Sequence, residues 1–313
     1  METFEIMKNP VCVELLLYQP TISEDENLRS WYIVNSVFHA FLAITAIILN
    51  SVTIHALRKT SSLPKPLKTL LLSLAVSDLG VGLLVEPFYL GLLVNWLQRS
   101  SSSEAVCTVL ETLTSFLTAA SFMSVMALSG DRFLAVHLHL RYQELVTHKR
   151  VVAVVISIWV FSLLQSLFYL WLSPDISYFV FTVFGVVCLV FLAMLYFKIY
   201  FTVRRHRNQI RALHVQQIAQ NDQITHAARL RKSAVGVFYV YLVFLLCSLP
   251  QFCSFAIVLI SDLSTVVNVF SMSSVTLLFL NSSLNPVIYC WKMRQIRPAV
   301  MDMVRNIFST RNN

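Results

Sequence analysis

Charge is what this chain has least of. Only 13% of its 313 residues are Asp, Glu, Lys or Arg, about half the share carried by a water-soluble domain. With 57% of the residues hydrophobic, a soluble fold would have no polar surface to turn toward water, which excludes a large soluble core. Glycine is also scarce, 6 residues against 22 phenylalanines. The six cysteines, at 12, 107, 188, 247, 253 and 290, include no pair with metal-ligand spacing, and 247 and 253 lie too far apart for a zinc knuckle. The apolar runs hold no His-Glu-x-x-His pattern and no Ser/His pair at helical spacing, so intramembrane catalysis has no machinery here. No internal repeat marks a transporter. Residues 1–31 are polar, with six acids against Lys8 and Arg29; they contain no glycosylation sequon and predict no cleavable leader.

What the chain has instead is long oily runs. Seven are predicted to span a membrane, over about 32–57, 67–95, 104–136, 151–171, 178–203, 229–260 and 263–290, each near or above the ~20 residues a bilayer needs. Asn50 lies in the first, and a lone Asn in a span usually bonds helix to helix. Asp78 lies deep in the second, where a carboxylate costs at least about 3 kcal/mol and must face polar company. Pro87 and Pro250 are predicted to bend their helices. Residues 208–228 read as either an extension of the fifth span or a loop. The stretch KMRQIRPAVMDMVRNIF after the seventh span reads as an amphipathic helix on the membrane, or, because Pro298 interrupts it, as an unstructured tail. The expected fold is all-α, a seven-helix transmembrane bundle at 32–290, with an outer segment at 1–31 and a cytoplasmic amphipathic helix and tail at 291–313.

The positive charge has a side. The turns after spans one, three and five, together with the tail, hold nearly all the Lys and Arg; the opposite side holds Lys8, Arg29 and Arg99. By the positive-inside rule the N-terminus is expected outside and the C-terminus in the cytoplasm. The net charge of +8 then belongs to the inner leaflet and predicts no nucleic-acid partner.

Between spans three and four the oily run ends in Gly130-Asp131-Arg132-Phe133, an adjacent acid and base at the inner membrane edge. With Asn50, LAVSD containing Asp78, Trp159, Tyr196, Pro250 and Asn285-Pro286-Val287-Ile288-Tyr289, each at matching depth and in order, the chain resembles the rhodopsin-like (class A) G-protein-coupled receptors over about 32–308. Its third span and short second outer loop look most like the melanocortin, adenosine, cannabinoid and lysophospholipid subgroup. The resemblance implies a plasma-membrane receptor, not an enzyme, that passes an extracellular signal to a heterotrimeric G protein, with arrestin and a receptor kinase as further partners. It implies that Asp131 neutralises Arg132 at rest and that Arg132 reaches the G protein when span six swings out. Tyr196 and Tyr289 then meet through water, while Phe122 and Phe244 shift against each other in mid-membrane; Pro250, Asn285 and Pro286 shape the moving helices. Asp78, Ser121, Asn281, Ser282 and Asn285 would line a pocket for an allosteric sodium ion. Alternatively, Asp78 is protonated and hydrogen-bonded without an ion. No other cofactor is implied.

Departures from the family pattern carry their own expectations. Phe133 replaces the usual Tyr. In span six, Cys247-Ser248-Leu249-Pro250 has Ser248 where a Trp normally floors the ligand pocket, and span five has Cys188 in place of proline. Leu230 stands where many members carry an acid that locks onto the span-three arginine, and its neighbours Arg229, Arg231 and Lys232 would repel Arg132. A loose resting state with basal signalling follows as an expectation. The usual disulfide joins the outer end of span three to the second outer loop; Cys107 matches one half, but the loop has no cysteine. That leaves Cys12–Cys107 or two thiols. For the ligand, Thr114 stands where aminergic receptors carry an acid, and span seven has no lysine for a retinal. Glu86, Glu111 and Glu104 are the candidate anchors with Thr114 and Ser248; a basic or peptide-like ligand would suit the acids, a lipid the Phe-rich walls. Alternatively, Glu86 and Glu111 merely face outer water. The rival reading is a seven-span scaffold or arrestin-biased receptor that does not signal through G proteins.

Overall fold

A computed structural model of the chain describes residues 22–61, 63–98, 104–138, 141–168, 170–171, 174–213, 221–261, 264–292, 297–298 and 301. Among them seven helices are long and apolar enough to cross a membrane. Span one is Ile22–Lys59. Span two starts at Lys65 behind Pro64, with Pro66 in its first turn, where a missing N–H does no harm. It runs as α-helix to Gly80, loosens into a π turn over Val81–Val85, and resumes over Glu86–Leu97. Spans three and four are Glu104–Leu138 and His148–Phe168. Span five, Pro174–Leu213, opens on a proline inside the expected outer connection and carries the helix well beyond the membrane, so 208–213 extends the span. Spans six and seven are Asn221–Ile260, with Pro250 inside, and Thr265–Lys292, with Pro286 inside.

The helices are arranged inside-out relative to a soluble bundle. Along span one, Val34, Val37, Phe41, Ile44 and Ile48 are exposed at alternating steps of three and four, one continuous stripe of a helix. The other face of the same helix buries Asn35, His39, Asn50 and Thr53. Apolar side chains outward and polar ones inward is the arrangement hydrocarbon requires, since each buried polar group must find its partner within the protein. The chain is therefore a multi-pass membrane protein.

Span three is the hub, packed against spans two, four, five and six; span seven lies against six and one. Polar ties fix these contacts. The Asn50 side-chain amide donates to the carbonyls of Ala46 and Ser282, both at 2.9 Å, joining span one to span seven. The Trp159 indole donates to Ser73 Oγ at 3.1 Å, and Ser73 meets Ser124 Oγ at 3.0 Å, joining spans four, two and three. Beyond span seven, the Arg297 guanidinium donates to the carbonyls of Cys290 and Trp291, each at 3.1 Å, closing the helix end with charge of the favourable sign. Most of the expected amphipathic helix lies outside the described residues.

Candidate functional site

Near its Leu138 end, span three presents Asp131 and Arg132 on consecutive residues. Both are buried. The guanidinium donates through Nε at 2.9 Å and through a terminal nitrogen to the same oxygen, Asp131 Oδ2. Asp131 Oδ1 accepts the phenol of Tyr142 at 2.7 Å, from the helical turn Tyr142–Leu145 just outside the membrane. Burial first, and then the Asp131 charge, push the Tyr142 phenol above its ordinary range, so at physiological pH it is a donor. The carboxylate thus has a partner on each oxygen and the arginine is held along the helix. The resemblance names Asp131 and Arg132; Tyr142 carries no signal of its own, because a tyrosine just past the end of a membrane span reads as an interface residue.

Above this pair, the Tyr196 phenol meets Ser129 Oγ at 2.9 Å, and its ring stacks on Tyr241 with centroids 4.7 Å apart. Tyr289 is buried, and its hydroxyl has no hydrogen-bond partner among the described residues. The two tyrosines therefore do not bond each other in this conformation. Phe122 and Phe244 meet edge to face at 4.5 Å, joining spans three and six one layer higher. The side chains of 229–232, with the position Leu230 occupies, lie outside the described residues.

At mid-depth, Asp78 is fully buried. Asn285 Nδ2 donates to Oδ2 at 2.8 Å, and Ser121 Oγ approaches Oδ1 at 3.4 Å while also donating to Ser77 at 2.8 Å. The side-chain oxygens of Asn281 and Asn285 are buried and have no partner among the described residues. One carboxylate ringed by neutral oxygens with spare acceptor capacity is the donor set a hard monovalent cation prefers.

The outer half is arranged differently from the expectation for its acids. Glu86 does not face outer water: it is buried, with Oε2 2.6 Å from His39 Nδ1 on span one. His39 Nε2 lies 3.0 Å from Thr276 Oγ1 on span seven. Glu111 and Thr114 are half-buried on span three, and the Glu104 side chain lies outside the described residues. Ser248 is buried, and its hydroxyl has no hydrogen-bond partner among the described residues. Next to it, spans six and seven are zipped by Ser274 donating to Gln251 Oε1 and by Ser254 donating to Ser271, both at 2.7 Å. The Phe252 ring lies 6.2 Å from Phe181 and 6.3 Å from Phe122, so phenylalanine from the next helical turn lines the layer where the indole is missing. Cys107 is disulfide-bonded and the cysteines at 188, 247, 253 and 290 are free thiols; Cys12 lies outside the described residues.

The comparisons with known proteins agree with this architecture. The model of the seven-transmembrane receptor family, rhodopsin type, matches residues 49–175 and 171–289. Similar proteins include the melanocortin receptor 4 of Danio rerio, 25% identical over 82% of this chain and 79% of its own length. The adenosine receptor A2b of Gallus gallus is 26% identical over 86% and 87%. The histamine H2 receptor of Cavia porcellus is 27% identical over 92% and 80%. The matched segments hold the Asp131–Arg132 pair, Asp78 and the Asn285-to-Tyr289 run, and with them on one seven-helix scaffold the chain belongs to the rhodopsin family of G-protein-coupled receptors, which transmit an extracellular ligand signal to a heterotrimeric G protein.

Proposed function

We propose that the receptor sits in the plasma membrane with its N-terminus outside, and that Arg132 is the group it releases to the G protein. The observation that carries this reading is the buried Arg132–Asp131 pair with Tyr142 on the second carboxylate oxygen. A guanidinium is kept from water at the membrane edge by an acid whose geometry is fixed from both sides. Outward movement of span six uncovers that guanidinium, and Tyr196, turning from Ser129, meets Tyr289 across the opened space. Pro250 and Pro286 supply bends for the movement. Arrestin and a receptor kinase engage the same opened end. The orientation rests on the charge asymmetry of the loops.

Asp78, Ser121, Asn281, Ser282 and Asn285 would hold a sodium ion. When bound, it supplies positive charge beside a carboxylate that otherwise bears its desolvation alone. For the ligand, the relatives' names point to a melanocortin peptide, adenosine and histamine, so the scaffold tolerates widely different occupants. Glu111 and Thr114, half-buried on span three, together with the phenylalanines suit a small ligand with an apolar body and a single basic or hydrogen-bonding group.

The testing experiment is ligand-free activation of each G-protein subtype in cells that display the chain at the surface, against Arg132→Ala. Basal signal lost in the variant identifies the coupling subtype. A signal equal to that of the variant in every subtype removes the reading that basic neighbours of Leu230 loosen the resting state.

A further inference from the structure

We propose that His39, Glu86, Thr276 and Asn35 form a net-neutral clamp that holds the outer half of span seven against spans one and two and so favours the closed bundle. The clamp deepens the receptor reading and rests on it only for its signalling consequence.

The contacts accommodate a neutral cluster. The Thr276 hydroxyl has one hydrogen and two carbonyl acceptors in reach, Asn35 Oδ1 at 2.8 Å and the Met272 carbonyl at 3.0 Å. In the arrangement proposed, that hydrogen goes to Asn35 Oδ1, the shortest of its contacts, and His39 Nε2 donates to the hydroxyl across 3.0 Å. The remaining proton lies in the 2.6 Å contact between Nδ1 and Glu86 Oε2. On nitrogen it gives imidazolium and carboxylate; on oxygen it gives imidazole and carboxylic acid. Both sums are zero. That explains how an acid and a base, each fully buried, sit within the bilayer's depth: a lone charge there is costly, a hydrogen-bonded neutral pair much less so. Tyr89 packs on the imidazole with centroids 4.6 Å apart, but its phenol donates to Met272 Sδ at 2.9 Å, and Phe279 meets both rings edge-on, each at 5.7 Å. The tyrosine hydrogen is thus committed elsewhere and leaves the Nδ1–Oε2 proton to the pair.

Two features of span two place Glu86 there. The π turn Val81–Val85 ends at Glu86, and the residue it inserts turns everything after it relative to a regular helix. Gly82 brings span two close to span one: a Cβ there would lie 3.0 Å from Ala46 Cβ, 3.1 Å from Ile47 Cγ1 and 3.2 Å from the Ala43 carbonyl oxygen. A second layer repeats the three-helix contact outward, with Tyr32 of span one stacked on Trp96 of span two at 3.8 Å and its hydroxyl 3.4 Å from Asn268 Oδ1 of span seven.

The test reads span seven directly. Cys290, a half-buried native thiol at the inner end of that helix, is alkylated by a maleimide in membranes holding the full chain, and its rate is resolved by mass spectrometry. Glu86→Leu alone strands a buried histidine and is expected to lower surface delivery. His39→Phe with Glu86→Leu restores packing and delivery, removes the clamp, and is expected to raise the Cys290 rate about threefold or more. Thr276→Val, which deletes only the span-seven arm, is read in parallel and is expected to move the rate the same way. A wild-type rate in the double variant or in Thr276→Val overturns the clamp. Alkylation needs no G protein: a faster rate without any basal signal keeps the clamp and defeats the signalling consequence, whereas a faster rate with raised basal signal supports both.

Discussion

Ser248 stands where the resemblance implies a tryptophan, and its surroundings say what a hydroxyl does there. The hydroxyl is buried without a partner among the described residues, while Gln251 and Ser254, on the same helix, are bonded across to span seven. An unsatisfied buried hydroxyl costs about 1–3 kcal/mol relative to an apolar group of similar shape. Ser248→Ala is therefore expected to leave thermal unfolding in detergent unchanged or to raise the midpoint. A lower midpoint would mean that the hydroxyl is held by a bonded group in the folded protein, and Ser248 would then belong to the ligand layer. Single residues were unevenly legible. Asp78, Asp131 and Arg132 announce themselves because charge in an oily run has few explanations. Glu86 announces itself equally loudly, yet its partner His39 does not, since one histidine amid span-one apolar residues is a weak signal and the pairing joins residues 47 positions apart.

Elements were legible where composition alone decides them. Seven apolar runs give seven helices; Pro64 and Pro174 set two of the starts, and the helices at Ile22, Leu213 and Asn221 run about eight to ten residues past the apolar runs. The π turn in span two was not legible: it changes backbone register without changing hydropathy, and Pro87 in the sequence suggests a bend without showing the inserted residue. The approach of spans five and six is similarly hidden in one glycine. A Cβ on Gly185 would lie 2.2 Å from Phe252 Cζ and 2.3 Å from Cε1, so the ring rests directly on the span-five backbone. Gly185→Ala forces that ring to rotate or the helices to part, at an expected cost of about 1–3 kcal/mol. Adding Phe252→Leu removes the clashing atoms and is expected to recover most of the loss; the two effects are coupled because the residues touch. Thermal midpoints of both singles and the double decide it. Additive losses would mean that the ring already has room to move.

At the scale of the whole molecule, the buried polar groups form a ladder through the bundle: His39 with Glu86 outside, Asp78 with Asn285 at mid-depth, Arg132 with Asp131 inside. The outer and middle rungs tie different helices, the inner one joins neighbours on span three, and each holds an acid whose charge must be balanced. The outer rung is balanced by histidine and the inner one by arginine. The middle rung has only neutral partners, and two of its side-chain oxygens have no partner among the described residues. It is the one place on the ladder where a mobile cation would complete the balance, and a cation there would favour whichever conformation keeps Asp78, Ser121 and Asn285 together. Replacing sodium with choline at constant ionic strength is therefore expected to raise ligand-free signalling. In Asp78→Asn, where no charge remains to be balanced, the same replacement is expected to change nothing. Constant ionic strength matters because surface electrostatics respond to any salt, whereas a coordinated ion responds to its identity. Equal output in sodium and choline for the unmodified chain would assign Asp78 to hydrogen bonding alone, with its proton in place of the ion.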